Sequence, residues 1–263
     1  MIPKKIHYCW FGPKEQPSIV QDCIESWKKW LPEYEIQRWD ETNVDLSHPF
    51  LKKAYTDKMY AFVADYVRLN ALYNEGGIYL DTDMLLLKPL DQFLHYKAFI
   101  GLESENYVSC GIIGAIPYHP YIHNCLNFYK ELKTDRLDYK QIVIPKIFTQ
   151  IYREMYCYSG PIKKANYKNL RVFDKDFFYA YPNPTKSEPF NEYLNYITSD
   201  SYAVHLWHKS WKKKNALKVM REGNILKSLG FLCKEFLISN QTINSIYLRK
   251  IASALKQHLK NAQ

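Results

Sequence analysis

Short apolar runs alternate with amphipathic segments along the first two hundred residues of the chain. Apolar runs of four to seven residues predict strands, and apolar residues spaced three and four apart predict helices. The predicted strands cover residues 4–10, 34–39, 78–81, 97–102, 111–115 and 203–206. The predicted helices cover residues 17–30, 49–56, 60–74 and 121–132. This alternation is typical of an α/β fold with one sheet flanked by helices.

Residues 142–202 depart from this alternation. They are rich in Pro, Tyr and Asn and less regular than the preceding residues. We therefore predict short strands and loops for this region.

The stretch from residue 61 to residue 83, AFVADYVRLNALYNEGGIYLDTD, carries the strongest chemical signal. It predicts a helix, a Gly-Gly stop and an apolar strand that ends in Asp81 and Asp83. Strand side chains alternate with a period of two, so both carboxylates are expected on one side of the sheet. Two partly desolvated acids repel each other unless a cation lies between them. Mg²⁺ and Mn²⁺ take oxygen ligands and often share them with substrate phosphates, so the pair predicts a metal-diphosphate site. A lone D-x-D pair is also common without a metal.

The helix before this strand carries a charged pair in an apolar setting. Asp65 and Arg68 fall on one helical face, and most of their neighbours are apolar. The pair has two interpretations. It is either a surface ion pair worth about a few tenths of a kcal/mol or a partly buried pair that faces something specific. Gly76 and Gly77 are expected to end the helix in a left-handed turn.

Three sequence blocks resemble glycosyltransferase family 32. The long ungapped block A-D-x-x-R-x-x-x-L-Y-x-x-G-G-I-Y-L-D-x-D, at residues 64–83, resembles the central motif of the family. IPKKIHYCWFG, at residues 2–12, resembles its opening strand, and HLWHKSW, at residues 205–211, resembles its late H-x-x-x-x-S-W block. The family includes yeast-type initiating mannosyltransferases, bacterial capsule and lipopolysaccharide transferases, and relatives of clostridial glucosylating toxins. Lys209 departs from the small residue that usually precedes the Ser-Trp pair, which adds a cation near the diphosphate or changes the loop.

The resemblance implies the GT-A fold of nucleotide-sugar transferases. It also implies transfer of a sugar from a UDP- or GDP-sugar to an acceptor hydroxyl, with retention at the anomeric carbon and without a named carboxylate nucleophile. In this family Asp83 is expected to bind Mn²⁺ or Mg²⁺ directly, and Asp81 to reach the ribose and the metal. His205 is the expected third metal ligand, with His208 as its competitor and a purely structural histidine as the alternative.

The resemblance also assigns the remaining donor residues. Trp10 is expected to stack on the nucleobase, with a core tryptophan as the alternative, and Asp65 and Arg68 to bind sugar hydroxyls. The other residues expected to hold the nucleotide and its diphosphate are Tyr79, Ser210 and Trp211. The side chains expected on the acceptor side are Glu103, Glu105, Asn106 and Ser109. The acceptor is expected to be a saccharide or a lipid-linked saccharide in capsule or lipopolysaccharide synthesis.

The composition fits one large domain with a C-terminal extension. The 263 residues are 47% hydrophobic, and the six cysteines show no C-x-x-C spacing. Zinc sites and disulfide frameworks are therefore not predicted, and reduced thiols indicate a cytoplasmic protein. Neither a signal segment nor a run of 18 apolar residues is visible.

The net charge is concentrated at the C-terminal end. Residues 212–263 contain 11 Lys or Arg and two Glu, a net charge of +9 that equals the formal charge of the whole chain. Leucine and isoleucine recur there at helical spacing between basic residues. We therefore predict a glycosyltransferase domain at residues 1–211 and a basic amphipathic extension at residues 212–263. The extension either contacts the inner face of an anionic membrane or packs on the domain, and no nucleic-acid motif accompanies its charge.

Two other function classes fit parts of the sequence. A haloacid-dehalogenase-type phosphatase also places D-x-D after a strand, but Thr normally follows one residue after its second Asp. Met84 and Leu85 follow here, which disfavours that class. A non-catalytic carbohydrate-binding or scaffold protein that keeps the transferase fold is the other alternative.

Overall fold

The computed structural model describes residues 1–135, 137–183, 190–208, 228–230, 232, 249 and 251–253. The chain divides into two compact units, Met1–His208 and Lys209–Gln263. The predicted boundary between residues 211 and 212 lies near this division and stays a prediction. Among the described residues, no helix is both long and apolar enough to cross a membrane.

The first unit contains the sheets and their helices. The strands, in chain order, are β1 (Lys5–Cys9), β2 (Glu35–Trp39), β3 (Gly77–Leu80), β4 (Met84–Leu86), β5 (Ala98–Ser104), β6 (Tyr107–Ala115), β7 (Ala165–Asn166), β8 (Arg171–Phe173) and β9 (Ala203–His205). The helices are α1 (Ser18–Trp30), α2 (Pro49–Thr56), α3 (Tyr60–Glu75), α4 (Pro120–Lys130), α5 (Ile144–Met155) and α6 (Lys175–Phe178). Short 3-10 helices cover Asp91–Phe93 and Phe190–Asn195.

The main sheet is mixed, with the strand order β2-β1-β3-β6-β5-β8-β7. Strands β1, β2, β3, β5 and β8 run in one direction, while β6 and β7 run antiparallel to their neighbours. The carboxyl ends of the parallel strands therefore meet at one edge, which we call the carboxyl edge. Open α/β sheets bind ligands outside this edge. A second, two-stranded sheet pairs β4 with β9.

Helices cover both faces of the main sheet. Successive side chains of β3 point to opposite faces and pack in two different hydrophobic clusters. Tyr79 packs in the cluster that contains α3, α4 and α5. Ile78 and Leu80 pack in the other cluster, with Trp27 of α1 and Phe178 of α6. The predicted α/β arrangement of one sheet flanked by helices is confirmed, and the sheet is mixed. The described cysteines are free thiols, as their spacing predicts: Cys9, Cys23, Cys110, Cys125 and Cys157.

His7 fixes the turn that leads from α3 into β3. Trp39 donates its indole N–H to His7 Nδ1 at 3.1 Å, so Nδ1 has no proton. Nε2 therefore carries the proton and donates it to the carbonyl of Gly76 at 2.7 Å. Gly76 ends α3 with a φ of +67° and a ψ of −162°. The positive φ agrees with the predicted glycine stop, but this ψ is not that of the predicted left-handed cap. Burial lowers the pKa of His7, in agreement with this neutral tautomer.

The expectation of short strands and loops between residues 142 and 202 is wrong for α5, for the short helix α6 and for the 3-10 helix Phe190–Asn195. Ile144–Met155 forms the amphipathic helix α5, with Pro145 in its first turn. Ile144, Ile147, Phe148 and Ile151 are buried at helical spacing. The periodic signal was present, and proline at the first helical turn is compatible with a helix rather than opposed to it.

Candidate functional site

The two acids of the D-x-D motif lie in a turn, not on a strand. Strand β3 ends at Leu80, whereas the sequence predicted a strand that included Asp81. Met84 donates its backbone N–H to the carbonyl of Asp81 at 2.9 Å, which closes the turn. Asp81 donates its own N–H to Gly111 of β6 at 2.7 Å. The carboxylates therefore converge because of this turn, and the period-two argument is corrected.

Strand β9 brings a histidine to this turn. Met84 of β4 pairs with His205 of β9. His205 Nε2 lies 3.1 Å from Asp83 Oδ1, and His208 donates its backbone N–H to Asp83 Oδ2 at 2.7 Å. Asp83 is 9% exposed, so both of its oxygens are fixed in a largely buried position.

Asp81, Asp83 and His205 form a group that suits a divalent cation. Each offers one ligand atom, and these atoms lie within 4.8 Å of one another. Two carboxylates and an imidazole are a donor set that fits Mn²⁺ or Mg²⁺. His205 Nδ1 is buried and has no hydrogen-bond partner within the described part of the chain. His208, the competing histidine, contributes its backbone N–H instead of a ring nitrogen to this group.

The pKa values of the two acids in this group shift in opposite directions. Burial raises the pKa of Asp81, and Asp83 raises it further against the opposing charge of Arg68. Burial also acts to raise the pKa of Asp83, but His205 and the backbone N–H of His208 lower it overall. Burial acts to lower the pKa of His205, and Asp83 raises it overall. In its protonated form, His205 supplies positive charge where a bound cation would supply it.

Arg68 connects α3 to the same turn. Its Nη2 lies 3.0 Å from Asp65 Oδ1, and its Nη1 lies 3.1 Å from Asp81 Oδ1. Nη1 also donates to the carbonyl of Cys110 at 2.9 Å. Asp65 and Arg68 are each 5% exposed, so the buried interpretation of this pair is confirmed and the surface interpretation is wrong. Burial raises the pKa of Asp65 to about 7, against the opposing effect of Arg68.

The ring of Tyr79 packs against the guanidinium of Arg68. The guanidinium carbon of Arg68 lies 4.4 Å from the centroid of the Tyr79 ring, a cation–π contact. Tyr79 is 2% exposed. Its ring faces α3, and Tyr79 also hydrogen-bonds to Asp81, so it supports both members of the Arg68–Asp81 pair. Its predicted contact with the nucleotide stays a prediction.

Trp10 lies directly after β1 at the carboxyl edge and is half-buried. Its indole N–H donates to the carbonyl of Lys14 at 2.8 Å. Gly12, with a φ of +88°, packs against Tyr60 with no room for a Cβ. Its N–H donates to the carboxylate of Glu41, which also accepts from Tyr55 at 3.1 Å. Trp10 is therefore not a core tryptophan, and Glu41 fixes its loop, a role that the sequence did not indicate.

The predicted acceptor residues occupy different surroundings. Glu103 is half-buried, while Glu105 and Asn106 are exposed between β5 and β6. Ser109 is 3% exposed and hydrogen-bonds to Tyr179, so it is not available to an acceptor. Lys209, Ser210 and Trp211 lie outside the described residues.

Two family models match the sequence on either side of β6. Residues 17–100 match the glycosyltransferase sugar-binding region containing the DXD motif. Residues 117–230 match the alpha 1,4-glycosyltransferase conserved region. The chain resembles the DXD glycosyltransferases over these two segments. The predicted resemblance to glycosyltransferases and the transferase class are thereby confirmed, which disfavours the phosphatase alternative, and the mixed sheet flanked by helices agrees with the predicted fold class.

The chain has named glycosyltransferase relatives, and the name of the first one below includes a lipid. It is 24% identical to inositol phosphoceramide mannosyltransferase 2 of Schizosaccharomyces pombe, over 98% of this chain and 73% of the relative. It is 26% identical to human alpha-1,4-N-acetylglucosaminyltransferase, over 62% of this chain and 46% of the relative. The chain therefore spans less than half the length of that second enzyme.

The solved PaToxG glycosyltransferase is 18% identical, with a TM-score of 0.49 over 59% of this chain and 69% of that chain. The resemblance to glycosyltransferases rests on the two family models and the DXD residues, because a TM-score below 0.5 establishes no common fold.

Proposed function

We propose that the chain transfers a sugar from a UDP- or GDP-sugar to a hydroxyl of a saccharide or lipid-linked saccharide, with a divalent cation and with retention of configuration. The convergence of Asp81, Asp83 and His205 carries this proposal. Their position at the carboxyl edge, where α/β sheets bind ligands, supports it.

The reaction breaks the bond between the anomeric carbon and the diphosphate oxygen. It forms a bond from that carbon to the acceptor oxygen, and the acceptor proton passes to the departing diphosphate or to water. A cation held by Asp81, Asp83 and His205 would neutralise charge that builds on the diphosphate. The protein fixes these ligands beforehand, because Arg68 orients Asp81 and the His208 N–H orients Asp83.

The names of the relatives support a lipid-linked acceptor. Relatives from two yeasts are named as mannosyltransferases or synthases of inositol phosphoceramides, and a mouse relative as lactosylceramide 4-alpha-galactosyltransferase. The α linkages in the mouse and human names support retention, since an α-linked donor that yields an α-glycoside keeps its configuration. The more specific proposal is that the acceptor belongs to the assembly of capsule or lipopolysaccharide.

A cytoplasmic location with peripheral contact to the inner membrane face is part of the proposal. The charge of +9 on residues 212–263 supports it, because each basic residue near an anionic surface contributes about 1 kcal/mol. The test is binding of the full chain to phosphatidylserine vesicles after four basic residues of the extension are changed to Gln: Arg249, Lys250, Lys256 and Lys260. The control changes four exposed lysines of the first unit: Lys28, Lys29, Lys52 and Lys53. Equal binding by both variants would contradict the membrane proposal.

A donor panel tests the proposed reaction. Purified chain is incubated with UDP- and GDP-sugars and Mn²⁺, and release of nucleoside diphosphate is measured first without and then with simple saccharide acceptors. We expect turnover of at least one donor and its loss with a chelator. NMR of the transferred product reports the anomeric configuration. Failure to turn over any donor in the panel counts against the proposal.

A further inference from the structure

The β5–β6 hairpin reaches the same edge as the DXD turn. β3 and β5 both pair antiparallel with β6, so their carboxyl ends lie on the same side of the sheet. Asp81 follows β3 directly, and Glu103 lies near the carboxyl end of β5. The hairpin tip is therefore on the side of the sheet that carries the candidate metal ligands.

A β-bulge interrupts the hairpin at Glu103. Leu102 pairs with Val108, and the next pair is Ser104 with Tyr107. Two steps along β5 thus correspond to one step along β6, and Glu103 is the additional residue without a partner of its own. Bulges of this kind occur beside active sites, where they redirect a side chain.

Glu103 is close enough to the site to interact with its charges. Burial raises the pKa of Glu103, His205 opposes that rise and Asp81 adds to it. Within the described part of the chain, no hydrogen bond or ion pair holds its carboxylate. A half-buried carboxylate without a partner near two candidate metal ligands has oxygens available for a hydroxyl donor.

The hairpin tip also presents an exposed aromatic ring on a fixed backbone. Tyr107 is 40% exposed. Val108 beside it is buried and donates its N–H to Thr149 Oγ1 of α5 at 3.1 Å. Ile162 donates its N–H to the carbonyl of Glu105 at 2.6 Å. These contacts hold the tip in place before any ligand arrives, which reduces the ordering cost of binding.

We propose that the tip of the β5–β6 hairpin is the acceptor subsite. Glu103 accepts a hydrogen bond from a hydroxyl of the acceptor saccharide, and Tyr107 packs its ring against a pyranose face. An aromatic ring joined with a carboxylate suits a sugar, which has an apolar face and hydroxyl edges. This subsite rests on the proposed function, and it gives the location at which the second substrate, the acceptor saccharide, would bind.

The test separates acceptor binding from donor chemistry. Glu103→Ala and Tyr107→Ala are each assayed for donor hydrolysis without acceptor and for transfer at varied acceptor concentration. We expect the acceptor KM to rise about tenfold or more, the loss typical of a hydrogen bond to a charged group. Donor hydrolysis should stay within about twofold of the unchanged chain. Glu103→Gln and Tyr107→Phe should recover part of the loss.

Two variants at the edge of the sheet opposite the carboxyl edge are the controls. Glu33→Gln changes an exposed carboxylate that pairs with Lys4. Tyr118→Ala removes an aromatic ring that is 67% exposed after the end of β6. Both should keep the acceptor KM. An unchanged KM in the Glu103 and Tyr107 variants, or a parallel fall in donor hydrolysis, overturns the subsite. Absence of donor turnover by the unchanged chain overturns the proposed function instead.

Discussion

His205 Nε2 lies 3.1 Å from Asp83 Oδ1, although the two residues are 122 positions apart in the chain. The other oxygen of Asp83 accepts the backbone N–H of His208 at 2.7 Å. One carboxylate thus joins the turn after β3 to the end of β9. The imidazole is placed beside the DXD acids by strand pairing, so its position depends on the whole of the first unit.

Asp83→Asn tests the metal site. The amide keeps an oxygen for the His208 N–H but removes the charge that attracts a cation. We expect Mn²⁺ to raise the Tm of the unchanged chain, because a ligand that binds only the folded state stabilises it. The variant should lose this rise, and its transfer rate should fall on the order of a hundredfold. The control is Asp91→Asn, an exposed carboxylate that pairs with Lys4. Full retention of the Mn²⁺ effect in Asp83→Asn would exclude Asp83 as a ligand.

Arg68→Met tests the buried charge cluster. The change leaves Asp65 and Asp81 without their cation in a buried position, so we expect the free energy of unfolding to fall by about 3–5 kcal/mol. The matched control is Lys28→Met, because Glu25 and Lys28 have the same spacing on an exposed helical face. That change should cost about 0.2–1 kcal/mol. Denaturant unfolding measures both, and equal losses would argue against a structural role for the Arg68 contacts.

His7 gives the fold a dependence on pH. Burial lowers the pKa of His7 below its ordinary value of 6.5, so the unfolded chain takes up this proton more readily. The contribution is fully present above pH 6.5 and is lost as the pH falls towards the pKa of the folded state. His7→Gln should therefore flatten the fall in unfolding free energy below pH about 6.5. His95→Gln, at an exposed site, should keep the original slope. An unchanged slope in the His7 variant would refute this assignment.

Trp10→Ala tests the predicted contact with the nucleobase. Loss of a stacked aromatic ring typically costs about 1–3 kcal/mol per base, so the affinity for UDP or GDP should fall between about fivefold and 150-fold. Trp10→Phe should keep most of the affinity. Trp30→Ala, at a half-buried position at the end of α1, is the control. Calorimetric titration measures the affinity, and a Trp10→Ala variant that binds as tightly as the unchanged chain would remove the base-stacking role.

The sequence predicted the parts of the fold and site that depend on local pattern. Helix α3 was predicted from its apolar period, and the burial of Asp65 and Arg68 was one of the two interpretations that the surrounding apolar residues allowed. The turn at Asp81 was not predicted. An apolar run followed by D-x-D has the same sequence pattern whether the strand continues through Asp81 or ends before it. The packing of Tyr79 towards α3 was not predicted, because alternation shows only that Tyr79 and Ile78 face opposite sides. Which side carries α3 depends on packing between distant segments.

Other features depend on contacts that leave no local signal. Glu41 and Gly12 are 29 positions apart, and neither lies in a pattern that predicts their hydrogen bond. The β-bulge at Glu103 depends on the register between β5 and β6, which tertiary packing sets.

The pairing of β4 with β9 has a consequence for the order in which the protein is made. Synthesis proceeds from the N-terminus, so Asp81 and Asp83 leave the ribosome more than a hundred residues before His205. A nascent chain that stops before Ala203 has the acids and Arg68 but lacks β9 and its imidazole. The pairing of β4 with β9 closes a loop of more than a hundred residues. This pairing forms late, because synthesis starts at the N-terminus and β9 must first leave the ribosome. Metal capture through all three ligands would then mark a chain whose first unit has been completed.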